Sequence, residues 1–356
     1  MRIECPNCLR IISISEDYIV THRRALEHSC SNCKASIQIQ LSLPEASEKN
    51  RGAHPSAGDS QTRLISPVAV PEEGSKILSL KSKILRSLVE LPPMPNIILK
   101  ARQIMEDPAS SLKDLSAVIE HDQAIVARVL ALANSAYYGL SGMVSSIQHA
   151  SILLGQKTLG ELITIAASSR LLSKKLKGYQ LNPGDLWKHS LAVALGSKII
   201  AEKKDTFLVE DAFIAGLLHD AGKIILDPYV LENHKVFKKQ INGGQRKNFE
   251  AEKEILGFDH AEVMSRAARF WRYPKNQTTA IRYHHYPFLS GNCELAFIIH
   301  LADFAAQEAG FNSEQPATSS EIDPHVLSRF GFKQAEFNGI IKQVSASVEQ
   351  LATELQ

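Results

Sequence analysis

The chain has 356 residues, 44% of them hydrophobic and 22% charged, with a formal charge of +2 at pH 7. Such a composition excludes global disorder, and the length exceeds one small core, so two or three folded units of roughly 100 to 200 residues or less are expected. No apolar run approaches the roughly 18 residues of a membrane span, the opening MRIECPNC lacks a secretory signal's apolar stretch, and the near-neutral charge gives no bulk field for nucleic acid. A cytoplasmic protein is expected, with no membrane partner.

Four of the five cysteines form two CxxC pairs, Cys5/Cys8 and Cys30/Cys33, about twenty residues apart. That spacing lets four thiolates close one tetrahedral Zn2+ site, and a segment this short needs such a staple to fold. The alternating Ile37, Ile39 and Leu41, with Ile11, Ile12 and Ile14, predicts short strands, so residues 1–43 read as a small β zinc ribbon. A site closed by four cysteines is structural. His22 and His28 fall in the same segment and are read as exposed loop residues. Residues 44–75, rich in Pro, Ser, Gly and Glu, read as a flexible linker.

Beyond the linker the apolar period becomes helical and stays so. Ile77, Leu80, Ile84, Leu85 and Leu88 form a stripe, which LPPMP at 91–95 must break because proline lacks a donor and restricts its predecessor. Ser111 and Asp114 predict a capping box, and Asp122 predicts the cap of a helix over 123–134. Further helices are expected over 145–153, 156–172, 184–202, 210–226, 229–241, 248–256, 259–271, 274–284 and 293–308. The last segment repeats Phe337, Ile340, Ile341, Val344, Val348, Leu351 and Leu355 by threes and fours. Such a stripe packs on the body, the alternative being a homodimer seam. The body is therefore all-α: a first helical half (76–180), a second half (181–310) and a C-terminal helical extension (311–356).

The second half carries the chemistry: His189, His219-Asp220, His260, His284-His285 and Asp303. Imidazoles with carboxylates suit Zn, Fe, Mn or Ni, and a carboxylate can bridge two ions. With each ligand drawn from a different helix, and His219 and Asp220 splayed by about 100° on one helix, the pattern fits a mono- or di-metal cleft. His121-Asp122 is the same dipeptide in another role, because Asp122 is better used as a cap. The apolar run Phe213–Leu218 buries the chain up to His219, and an aspartate buried there calls for a cation. Cys293 has no partner at knuckle spacing and is read as a buried thiol.

Three stretches, LPPMP with HDQAIVARVLALANSAYYG and SSIQHASILLG, then LWKHSLAVA with AFIAGLLHDAGK, then GFDHAEVMSRAARFW with IRYHHYP and HLADFAA, resemble the HDOD family over about Leu80 to Ala306. These are HD-related output domains of bacterial signalling proteins, relatives of the HD and HD-GYP phosphohydrolases. The N-terminal segment resembles the zinc ribbons of some bacterial regulatory proteins. The resemblance implies that His189, His219, Asp220 and Asp303 match the ligands of a first metal, with Asp220 as bridge, and that His260, His284 and His285 match those of a second. With both ions, Asp220 and Lys223 become the catalytic candidates, Lys223 clamping a phosphate oxygen; the plainer reading of Lys223 is a solvated helix-end lysine. His284-His285 is followed by Tyr286-Pro287-Phe288 rather than an acidic residue and a GYP motif, so cyclic-dinucleotide specificity does not carry over.

Three functions follow from this set of residues. The leading expectation is a cytoplasmic regulatory output that holds metal and acts through contacts with signalling proteins. The second is a metal-dependent phosphohydrolase of a nucleotide or cyclic dinucleotide. The third is a nucleic-acid-binding regulator acting through the ribbon, disfavoured because Arg2, Arg10, Arg23, Arg24 and Lys34 are few and lack an aromatic platform.

Overall fold

A computed structural model of the chain describes residues 2–4, 11–13, 25–29, 36–40, 72–89 and 96–353, apart from 108, 121, 141, 205, 242–245 and 314–321. The chain divides into two compact units, Met1–Pro67 and Val68–Gln356. In the first, β1 (Arg2–Glu4) pairs antiparallel with β2 (Ile11–Ser13), and β3 (Ala25–Ser29) with β4 (Ser36–Gln40). Cys5, Cys8, Cys30 and Cys33 lie outside the described residues, as do residues 41–71, 90–95 and His121.

The second unit is helical among its described residues. α1 (Glu72–Val89) is followed by α2 (Asn96–Glu106), α3 (Leu112–Ala117) and α4 (Gln123–Ala133). The sequence signals for the helix starts hold. Ser111 and Asp114 close a capping box on α3, and the Asp122 carboxylate accepts from the amides of Ala124 and Ile125 at the start of α4. α5 (Ile147–Leu172) joins two predicted helices across a kink at Gly155, where φ is +78°. α2, α3 and α4 pack against it.

α6 (Asp185–Lys204) is the axis of the remainder. It is buried nearly all round, as a helix apolar on every face must be, and packs against α7 (Val209–Leu218), α13 (Glu294–Glu308) and α15 (Gln334–Ala352). α7 comes close because Gly216 has no side chain: a Cβ there would stand 2.8 Å from Ser197 Oγ and 2.9 Å from the Val193 carbonyl. On α15, Phe337, Ile340, Val344, Val348 and Leu351 are buried, so the C-terminal stripe serves the core of its own unit.

Two expected helices have different limits. The predicted helix over 210–226 is broken at 219–221, and α8 (Gly222–Glu232) begins beyond a turn closed by Ala221 N–H to Leu218 O and Lys223 N–H to Asp220 O. At the start of α8, Gly222 comes so close to α11 (His260–Phe270) that a Cβ there would lie 2.1 Å from the His260 carbonyl oxygen. Pro228, which falls between the helices expected over 210–226 and 229–241, lies inside α8, whose Ile225, Leu226 and Val230 are buried on either side of it; the chain breaks at Asn233 instead, ahead of α9 (His234–Ile241). α10 (Asn248–Leu256), α11 (His260–Phe270), α12 (Lys275–Tyr283) and α14 (Pro324–Arg329) complete the unit. No helix among the described residues is long and apolar enough to cross a membrane.

Candidate metal centre

Five elements bring the predicted residues together. His189 projects from the first turns of α6, His219 and Asp220 occupy the α7–α8 corner, and His260 opens α11; His284 and His285 follow α12, and Asp303 lies on α13. The corner changes how the HD dipeptide works. It is a tight turn rather than one continuous helix, and it leaves His219 Nε2 3.5 Å from Asp220 Oδ1.

Asp220 is the hub. Its Oδ1 is 2.9 Å from His260 Nε2, 3.5 Å from His219 Nε2 and 4.0 Å from His284 Nε2, while Oδ2 is 3.4 Å from His189 Nε2. Asp303 Oδ1 reaches His189 Nε2 at 3.4 Å. His189, His219 and Asp220 offer ligand atoms all within 4.8 Å of one another, and His260, His284 and His285 form a second such set.

Hydrogen bonds at the other ring nitrogen orient these imidazoles. His189 Nδ1–H donates to the Phe311 carbonyl at 2.8 Å, His219 Nδ1–H to Gly216 O at 2.7 Å, and His284 Nδ1–H to Ile281 O at 2.8 Å. A carbonyl only accepts, so the tautomer is fixed and each neutral Nε2 carries a lone pair directed inward. Two such atoms, His189 Nε2 and His219 Nε2, stand 3.2 Å apart, and His260 Nε2 and His285 Nε2 stand 2.9 Å apart. His284 Nε2 is buried without any hydrogen-bond partner. Neutral imidazoles that face each other in this way need a proton or a metal cation between them, and a donor set of imidazoles and carboxylates fits borderline transition metals.

Burial and charge tune the set unevenly. Burial pushes His219, His284 and His285 below the ordinary histidine value, the last two far below, with neighbouring imidazoles adding to the effect. Burial also pushes His260 down, but Glu252 and Asp220 outweigh it and hold that imidazole up to about 10. His189 is likewise raised against its burial, by Asp220 and Asp303. Asp220 is held well below the carboxylate range, since Lys223 and the imidazoles overcome its own desolvation.

Lys223 is not a solvated lysine. It is 1% exposed, its Nζ donates to Asp220 Oδ2 at 2.7 Å and to Ser313 Oγ at 3.0 Å, and Ser313 Oγ donates to the same carboxylate oxygen at 2.7 Å. Cys293, expected to be buried, is half-buried, its thiol directed at the Asn276 carbonyl 3.6 Å away. Sequence reasoning missed Ser313, the Phe311 carbonyl, Glu252 and Tyr179. Glu252 had a faint signal, an acidic residue eight positions before His260 on the same helix face as buried Phe249 and Leu256. Ser313 had none.

The chain matches the HDOD domain family over residues 91–287, a span that holds every candidate ligand from His189 to His285 and leaves Asp303 beyond it. An HDOD domain protein of unknown function from Geobacter sulfurreducens is 27% identical, with a TM-score of 0.64 covering 78% of this chain and 98% of that one. A proposed phosphohydrolase from Shewanella amazonensis is 25% identical, with a TM-score of 0.61 over 77% and 98%. An uncharacterised protein of Treponema pallidum is 26% identical over 231 residues, 63% of this chain, which spans 44% of that relative's length. Because the family match covers more than half of the sequence and includes both histidine sets, the chain belongs to the HDOD family.

Proposed function

We propose that this HDOD protein is a cytoplasmic regulatory output whose helical unit binds one or two transition-metal ions and acts through contacts with signalling proteins. His189, His219, Asp220 and Asp303 would hold one ion and His260, His284 and His285 the other, drawn from Fe, Mn, Ni or Zn. The facing Nε2 atoms of His189 and His219 carry this reading, for their Nδ1 hydrogens are already spent on carbonyls. An output role rather than turnover is supported by the burial of His189, His219, Asp220, His260 and His284 and by the engagement of Lys223 with Asp220 and Ser313, which occupies the ammonium that a phosphate would need.

The second reading is a metal-dependent phosphohydrolase of a nucleotide or cyclic dinucleotide, favoured by the complete ligand set and by the Shewanella relative's name. Metal ions bound there would supply Lewis acidity toward a phosphoryl oxygen. Asp220 would then hold the ions, and Lys223 would have to leave its carboxylate to clamp a phosphate.

For the N-terminal unit we propose a zinc ribbon closed by Cys5, Cys8, Cys30 and Cys33 that offers a further partner surface. Its support is the pair of described hairpins, since each CxxC falls in sequence between two paired strands. Elemental analysis of the full chain purified without chelator tests both metal proposals. Zinc that is lost in Cys5→Ser, together with one or two further metals lost in His219→Ala, is the expected result. Zinc alone, unaffected by His219→Ala, would remove the helical site and the phosphohydrolase with it. If the second metals are present, steady hydrolysis of a phosphodiester that Asp220→Ala abolishes would favour the enzyme over the output module.

A further inference from the structure

Glu252 is a fully buried carboxylate on α10, hydrogen-bonded to His260 and Tyr179. Oε2 accepts the His260 backbone N–H at 2.6 Å and the ring Nδ1–H at 2.8 Å; Oε1 lies 3.0 Å from the same ring nitrogen and accepts from Tyr179 Oη at 2.9 Å. The plain explanation is a cap on the first amide of α11. That helix already has its cap, because the Asp259 carboxylate accepts from Glu262 N–H at 2.6 Å. A single amide also does not require a carboxylate with two filled oxygens in a site closed to water.

The ring contact accounts for what the cap does not. His189, His219 and His284 each give their Nδ1–H to a neutral backbone carbonyl, whereas His260 gives its own to a carboxylate. A carboxylate behind an imidazole fixes its rotation and raises the basicity of the far nitrogen. That far nitrogen, His260 Nε2, lies 2.9 Å from Asp220 Oδ1 and 2.9 Å from His285 Nε2, at the junction of the two ligand sets. The backbone of His260 is held from both sides, by Glu252 at its amide and by the close approach of Gly222 to its carbonyl.

We infer that Glu252, itself anchored by the Tyr179 hydroxyl, is a positioning residue that makes His260 the strongest imidazole donor of the centre and sets metal affinity at the His260, His284 and His285 set. The inference rests on the metal-binding reading above. It is tested with the full chain and Mn2+, a hard ion that four thiolates do not suit, by counting free Mn2+ in a titration followed by electron paramagnetic resonance. Glu252→Gln should weaken the Mn2+ isotherm by roughly 10-fold to 100-fold, Glu252→Ala by more, and Tyr179→Phe by a few-fold. The rise in melting temperature that Mn2+ produces should shrink in the same order, whereas a purely structural residue would lower the melting temperature equally with and without the ion. Unchanged affinity in Glu252→Gln, with wild type binding Mn2+, overturns this inference alone; a wild type that binds no Mn2+ overturns it together with the reading beneath it. If Glu252→Gln does not fold, Tyr179→Phe decides by the same isotherm, and an unchanged curve counts against the proposal.

Discussion

Two HD dipeptides in one chain show how little a residue pair means without its setting. Asp122 spends its carboxylate on the amides of Ala124 and Ile125, whereas Asp220 is buried among four imidazoles, a lysine and a serine. Asp122→Ala should therefore cost about 1 kcal/mol of stability by urea melt and leave metal content unchanged, while Asp220→Ala should empty the helical site. The titrating groups make a further prediction for chelator-treated protein. His219, His284 and His285 have depressed values, so their contribution is present above 6.5 and lost as the pH falls below it. His260 has a raised value, so its contribution is complete below 6.5 and lost as the pH rises through about 10. The melting temperature should accordingly peak near neutral pH and fall on both sides; a flat profile from pH 5 to 10 would contradict these assignments.

At the level of elements, the centre depends on how closely helices approach. Gly216 lets α7 lie against α6, which carries His219 to His189, and Gly222 lets α8 begin against the His260 carbonyl. Gly222→Ala forces backbone to move and should cost about 3 kcal/mol, with loss of metal as His260 shifts; equilibrium unfolding and elemental analysis read the two effects. α15 packs on α6, where a Cβ on Gly196 would lie 3.3 Å from Val344 Cγ2, and its fully buried Phe337 meets Phe304 of α13. Phe337→Ala should cost about 3–5 kcal/mol while leaving His260, His284 and His285 in place, so metal binding at that set should survive below the new melting point. The helix starts at Ser111 and Asp122 were legible because a cap is a local bond between neighbours in sequence. The break at 219–221 and the run through Pro228 were not legible in this way.

The whole molecule divides into two units, and the family match lies entirely in the second. Residues 68–356 alone should fold with the helical circular dichroism of the full chain and keep the metals that His219→Ala removes. If that fragment unfolds, the N-terminal unit is needed for its stability. Within the helical unit, Lys198 on α6 ties to Glu161 on α5 through both carboxylate oxygens at 2.8 and 2.7 Å, linking the first helical half to the half that carries the centre. By itself the sequence determined the helical class of the body, the capped helix starts, the family and the histidines and aspartates of the centre. Each of these follows from periodicity, local hydrogen bonding or an ordered motif. Only the tertiary structure decided that His219 and Asp220 sit on a corner, that Lys223 is spent on Asp220, and that Glu252, Tyr179, Ser313 and the Phe311 carbonyl hold the donors in place. Those partners are 8 to 122 residues from the side chains they touch. How these distant donors and acceptors meet is fixed by helix packing, a property that no local stretch of sequence carries, whereas Lys223 reaches Asp220 only three residues back along the chain.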